Sequence, residues 1–529
     1  MKNTFVKKGL VALVSSALVA TFAVAAPSAA QAVDLTCTKA TTKVETCTGT
    51  DDNGAKFEIR MPSNFNGTLY VYSHGIRTNV DLPPIPVIAP TGSKINYAPE
   101  VAPTEVVATA LLKQGYALAG SGVSSQGWSL EEGVDAALQV LQAAQDKYPK
   151  VNKVVAWGNS LGAITTQAFA EQYSGAVDAV VPMCLAESAQ AEITMAGDFL
   201  WGLKTFFNPA IKGFGYSEGA TGYVEMLTDL GTVLTTLLAL QTAIAANPTA
   251  PAWPATSTVP DTLKAIPVRS AILLLGLVAG ISTQSKTYDA SSGPAGALET
   301  TFGVAISPAL AVLENGAEAA SLAVLANYDM ERRAGGVVYD NTKTNFAARL
   351  GDDAQVFAAA LTGATATTGM IGYLQYLAPK QAASAEAVAK LNSMYQLQGK
   401  ITAPTITLAA PADHITPGGA VTYLVNQYNA AVSSGSAKSG MLLNIWNRPD
   451  DSYSKFGPTG AGIAPEKTPN GIGHCNYTTS QVLTVAKLGA TAAKTGKLPS
   501  TAAAKAAIKN DANLFIDSNY LPPLLKFRQ

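Results

Sequence analysis

Charge is scarce in this chain. Of its 529 residues, 14% are charged, against roughly 25% in an average globular protein, and 36 Lys and Arg against 37 Asp and Glu leave a net charge of −1. Without a basic surplus there is little to neutralise a phosphate backbone, which argues against nucleic acid as a partner. Strong metal ligands are also few, with three His and four Cys, which disfavours an elaborate metal site. Long apolar runs are missing beyond the N-terminus. The most apolar later stretch, 270–281 (SAILLLGLVAGI), falls well short of the roughly 20 residues needed to span a bilayer and reads as a buried helix. Apolar residues as a class are plentiful, at 48%, which excludes a disordered chain.

The N-terminus has the pattern of an export signal. Lys2, Lys7 and Lys8 precede an apolar run that extends to about residue 26, and Ala30-Gln31-Ala32 supplies small residues at a cleavage point. The expectation is a bacterial-type signal peptide over 1–32 and a secreted mature chain beginning at Val33. In an oxidising compartment disulfides are expected. Cys37 and Cys47 lie close in sequence and could staple a hairpin, which would leave Cys184 to pair with Cys475.

From residue 33 to about 187, strand and helix patterns alternate. Residues 44–50 and 56–61 flank Asn53-Gly54, a hairpin signal. Runs at 68–73 (TLYVYS), 116–119, 153–157 (KVVAW) and 177–183 read as strands, and 130–147 and 163–172 as helices. Ser129 and Glu132 have capping-box spacing at the first helix start. This alternation predicts a mainly parallel sheet covered by helices. Residues 188–398 are rich in Ala, Leu and Thr, with helical spacing at 230–246 and 309–326, and read as a mostly helical cap inserted into the core. Strand patterns resume at 405–409 and 441–446, so 399–529 completes the core.

Three residues at strand ends carry the chemistry. Gly158-Asn159-Ser160-Leu161-Gly162 follows the KVVAW strand and precedes a helix, the context in which a sharp turn exposes a nucleophilic serine. A second match, Gly215 to Gly219 around Ser217, has no strand before it and reads as a loop. A serine hydroxyl needs a general base, and His474, in a glycine loop near the C-terminus, is the candidate. His414 is the rival and His74 belongs to an early Gly loop. Asp413, just past a core strand, is the acid to orient that base, with Asp450 and Asp451 as alternatives. The amides of Leu161 and Ile76 are candidates for the oxyanion hole; Arg77 is alternatively a ligand for a substrate carboxylate. No cofactor is expected, because the serine chemistry read from these motifs needs none.

The elbow and the order Ser160, Asp413, His474 resemble the α/β-hydrolase superfamily over about residues 66–187 and 400–490. That resemblance implies a triad at the carboxyl edge of the sheet and acyl transfer to water. His474-Cys475 looks like the tannase and feruloyl esterase branch, in which a Cys beside the nucleophile is bridged to the Cys beside the histidine. Here Asn159 stands at that position. A Cys184–Cys475 bridge would hold the His474 loop by another route. The expectation is a secreted serine esterase acting on a small-molecule or polymeric ester with a bulky or apolar group. The alternatives are a secreted serine aminopeptidase, with Glu187, Glu192 or Asp198 holding the substrate amine, and a non-catalytic binding protein of the cell envelope.

Overall fold

The computed structural model describes residues 34–39, 43–86, 88–290, 306–457 and 461–528. The expected export signal lies outside these residues. Among them, one sheet holds ten strands: β1 (Thr36–Lys39), β2 (Val44–Thr50), β3 (Lys56–Pro62), β4 (Thr68–Ser73), β5 (Ala117–Ser121), β6 (Lys153–Asn159), β7 (Ala179–Met183), β8 (Thr405–Ala409), β9 (Leu442–Asn447) and β10 (Leu514–Phe515). Their spatial order is β1-β2-β3-β5-β4-β6-β7-β8-β9-β10. The strands from β5 to β9 in that order are mutually parallel, with antiparallel β1 to β3 on one flank and antiparallel β10 on the other.

Helices cover both faces of the sheet, which explains why the central strands read as continuous apolar runs. In β4, Leu69 and Val71 enter one core with α2 (Leu130–Lys147) and α3 (Leu161–Gln172), while Tyr70 and Tyr72 enter the other. The second layer is built from α1 (Glu105–Lys113) and the Thr479–Thr495 helix, and Tyr70 donates its hydroxyl to the Ala486 carbonyl at 2.7 Å. In β6, Val154 and Ala156 alternate in the same way with Val155 and Trp157. Strand order and two-sided cover make this the α/β-hydrolase fold.

The capping box expected at the start of α2 is absent. Ser129 occupies the N-cap position but makes no side-chain capping bond. Glu132 instead accepts from Ser125 at 2.8 Å and from Arg333 at 3.0 Å. In the bond to the distant guanidinium both partners are charged, whereas the local backbone amide is a neutral donor.

Between β7 and β8 the regular elements are helical, from α4 (Ala189–Phe206) and α5 (Gly219–Ala246) to the Ala385–Ser393 helix. The run at 270–281 falls on the Val268–Ala279 helix, all of whose residues are buried. That helix and α4 both pack on the long Ser307–Ala334 helix. By length and hydropathy, with a mean of 1.4 each, α5 and Ser307–Ala334 match a membrane span, a property the sequence reading did not assign them. The Ser307–Ala334 window is 72% buried within the protein and that of α5 39%. α5 has one buried stripe, Met226, Leu230, Val233, Leu237, Leu240 and Ile244. Its outer face carries Thr228, Thr232 and Thr235, each donating its hydroxyl to the carbonyl four residues earlier at 2.8 Å.

Candidate active site

The apolar strand β6 ends at Asn159 and α3 begins at Leu161, so Ser160 alone makes the reversal. It does so with φ 57° and ψ −127°, a conformation worth about 1–3 kcal/mol of strain in a non-glycine residue. Glycine is required on either side. A Cβ on Gly158 would lie 2.4 Å from the Gly162 carbonyl oxygen, and one on Gly162 only 2.0 Å from that of Ser73. The neighbours are backbone, so neither can move aside cheaply. The Ser160 amide donates to the Met183 carbonyl at 3.1 Å, fastening the elbow to the end of β7.

A second chain segment meets the Ser160 hydroxyl, and a third stands behind it. His474 Nε2 lies 2.8 Å from Ser160 Oγ. Its Nδ1 lies 3.1 and 3.0 Å from the two carboxyl oxygens of Asp413, which follows β8. Asp413 is 1% exposed. It accepts the amides of Ile415 and Thr416 at 2.9 Å each, the Thr416 hydroxyl at 3.1 Å and the Cys475 amide at 3.0 Å. Burial works against ionisation of Asp413, but the imidazole and these donors outweigh it and hold its pKa down at about 2. For His474 burial disfavours the cation, and the Asp413 carboxylate overcomes that, raising the pKa above the ordinary histidine value. The arrangement keeps a carboxylate charged beside an imidazole that can take a proton from Ser160.

The candidate oxyanion donors border the same point. Leu161 opens α3, where a helix leaves its first amides unpaired, and Ile76 follows β4. Neither amide donates to an acceptor among the described residues. A Cβ on Gly75 would lie 3.3 Å from Ser160 Cβ, which shows how closely that loop passes the elbow. His74 is buried, with Nδ1 2.7 Å from the Gly75 carbonyl oxygen, and burial lowers its pKa, so it is a neutral support for the loop.

The other candidates are placed elsewhere. His414 pairs with Glu318 at 3.0 Å. Asp450 and Asp451 are exposed. Ser217 precedes α5 with its hydroxyl on Glu225 at 3.0 Å. Arg77 is not free for a substrate carboxylate. It pairs with Glu100 at 2.7 Å and donates to the Asn96 and Ala98 carbonyls at 2.9 Å each. Glu187 is held by Arg528 at 2.6 Å, and Asp198 by Arg349 and by the Tyr339 hydroxyl.

The four cysteines form two disulfides, Cys37–Cys47 and Cys184–Cys475. The first joins opposite residues of β1 and β2. The second ties the end of β7 to the His474 loop, and Cys184 Sγ lies 3.3 Å from the Ser160 amide. Ser160, Cys184 and Cys475 all have positive φ, of 57°, 44° and 51°. Backbone strain is thus concentrated where the three segments meet. Asn159, where the resemblance calls for cysteine, instead accepts the Tyr72 hydroxyl. Asp413, His474 and Cys475 bring oxygen, nitrogen and sulfur together as a metal site does. Here the sulfur is committed to the disulfide and Nε2 to Ser160, so the set does not fit a metal.

Ser160 opens onto a cavity of about 170 Å³ between core and helical insertion. Its walls are mainly apolar, with Ile193, Met195 and Phe199 from α4, Ile281, and Leu322 and Leu325 from the Ser307–Ala334 helix. The cavity wall is stitched to the core by Asp329. It accepts Asn79 Nδ2 and the Trp128 amide, each at 2.7 Å, and it pairs with Arg333 at 3.0 Å. Sequence reading did not find this network, because its members are isolated polar residues in separate segments.

Residues 54–265 match the model of a tannase-like family of unknown function (DUF6351). The match covers less than half of the chain. No curated protein matches it. Among solved structures, an esterase from Aspergillus oryzae is similar at 11% identity and a TM-score of 0.34, over 76% of this chain and 71% of that one. Feruloyl esterase B from Aspergillus oryzae gives 12% and 0.35, over 86% and 81%. An acylaminoacyl peptidase from Pyrococcus horikoshii gives 11% and 0.20, over 31% and 24%.

Proposed function

We propose that the chain is a serine hydrolase of carboxylic esters that acts outside the cell on a substrate with a bulky or apolar group. The observation that carries this reading is the 2.8 Å contact of His474 Nε2 with Ser160 Oγ at the mouth of an apolar cavity. Ser160 attacks the ester carbonyl as His474 takes its proton. The Leu161 and Ile76 amides hold the developing oxyanion. His474 then gives the proton to the leaving alcohol, and water, activated by the same base, releases the acid from the acyl-enzyme. Asp413 fixes the imidazole tautomer and stabilises its charged form. The apolar walls favour a large apolar substituent and exclude water. The match to a tannase-like family over residues 54–265 is in keeping with ester chemistry. The export pattern at 1–32 and the two disulfides support an extracellular site of action.

The aminopeptidase alternative has one observation in its favour: Glu192 lines the cavity. Hydrolysis of p-nitrophenyl esters by the secreted protein, abolished in Ser160→Ala, with a fluorophosphonate label mapping to Ser160, is the expected outcome. Cleavage of aminoacyl amides but not esters would favour the peptidase, and no hydrolysis with retained ligand binding would favour the binding protein.

A further inference from the structure

Glu192 lies near the start of α4 and lines the cavity beside Ser160, Ile193 and Met195. One carboxyl oxygen, Oε1, accepts the Glu187 amide at 3.2 Å. The other takes no hydrogen bond among the described residues. The cations nearby are committed elsewhere: Arg528 to Glu187 at 2.6 Å, and Arg77, on the cavity wall, to Glu100 at 2.7 Å. The groups that act on Glu192 are Glu187 after β7 and Asp413 after β8 with its partner His474, and His474 is in turn influenced by Glu318, paired with His414, on the Ser307–Ala334 helix. A carboxylate here would have as counter-charge an imidazole already paired with Asp413, and an incomplete water shell. Burial first, and the Glu187 and Asp413 charges after it, raise the Glu192 pKa to about 8. A carboxyl group that keeps its proton can donate as well as accept.

We propose that Glu192 is a specificity-determining residue whose cavity-facing oxygen, as an un-ionised acid, donates a hydrogen bond to an uncharged ether, hydroxyl or carbonyl oxygen of the substrate close to the scissile ester. This deepens the ester-hydrolase reading and rests on it. Ionisation of Glu192 removes the donor and adds a negative charge to the cavity in which the oxyanion develops, so kcat/KM falls on the alkaline side as Glu192 loses its proton. That limb is separate from the acid limb set by His474, which must be neutral to act as base.

The test compares Glu192→Gln and Glu192→Ala with the parent. Two isosteric ester pairs are used: p-nitrophenyl pentanoate with p-nitrophenyl 3-methoxypropanoate, and butyl with 2-methoxyethyl hexanoate. Gln keeps a donor and cannot ionise. Its alkaline limb should therefore disappear. Ala should lose about tenfold in kcat/KM for the oxygen-bearing member of at least one pair relative to its methylene counterpart, the size of one hydrogen bond of about 1.4 kcal/mol. An alkaline limb that persists in Glu192→Gln, or unchanged preferences within both pairs in Glu192→Ala, overturns the proposal. If Glu192→Ala does not fold, the pH profile of the near-isosteric Gln variant decides alone. Activity surviving in Ser160→Ala would instead overturn the ester-hydrolase reading beneath it.

Discussion

Gly162→Ala is a one-carbon change whose effect follows from the elbow's geometry. The new Cβ would meet the Ser73 carbonyl oxygen at 2.0 Å and that of His74 at 2.6 Å, where real Cβ contacts are essentially never below 3.0 Å. Since both neighbours are backbone, the start of α3 must retreat from the end of β4 by about 1 Å, enough for roughly a 100-fold rate loss through misplacement of reacting groups. The retreat carries the Leu161 amide away from the oxyanion position and lengthens the 2.8 Å contact of Ser160 with His474. Overpacking should cost about 1–3 kcal/mol in stability. Gly231→Ala is the control. Gly231 sits within α5 with nothing within 4 Å of its added Cβ and no positive φ. There the same change should stabilise by about 0.5–1 kcal/mol, as alanine does for glycine in a helix. Ester hydrolysis and urea midpoints on both variants check this. Parental kcat/KM together with a parental midpoint in Gly162→Ala would refute the close-approach argument.

Reduction of Cys184–Cys475 should abolish hydrolysis reversibly, because the His474 loop loses its covalent tie to β7. By chain entropy the cross-link, at a sequence separation of 291, contributes about 5–6 kcal/mol as an upper figure, so a Cys184→Ser/Cys475→Ser variant should show a large drop in its unfolding midpoint. Full activity in protein whose two thiols are shown free by non-reducing peptide mapping would contradict this. The acid side of the pH profile has a defined sign. Because Asp413 raises the His474 pKa, kcat/KM should fall as pH drops through a value above histidine's ordinary 6.5. Asp413→Asn should move that limb downward and cost roughly 10⁴-fold in rate. An unmoved limb in that variant would remove Asp413 from its assigned role.

Local signals in the sequence account for much of this architecture. KVVAW followed by Gly158 and Gly162 could be read because a buried strand, a sharp turn and a helix each leave marks within a dozen residues. The strands at TLYVYS and TITLA were legible for the same reason. Their extents shifted, with β6 running on to Asn159 and α3 starting at Leu161, since the turn at Ser160 has no spare residues. Glu132 was misread as half of a capping box because its partner, Arg333, lies two hundred residues away and leaves no trace in the local pattern. Glu192 could be named as a candidate but not ranked above Glu187 or Asp198. What separates the three is which have a cation within reach, and Arg528 and Arg349 come to theirs only through the folded chain.

The bond between Cys184 and Cys475 closes a ring that contains the whole helical insertion. Chain continuity and molecular integrity are thereby uncoupled. A protease that nicks an outer turn of the insertion yields two fragments that still travel as one particle, with Ser160 in one and both Asp413 and His474 in the other. Only a reductant releases them. In an environment rich in proteases, such a molecule can be cut once and still keep its working parts side by side.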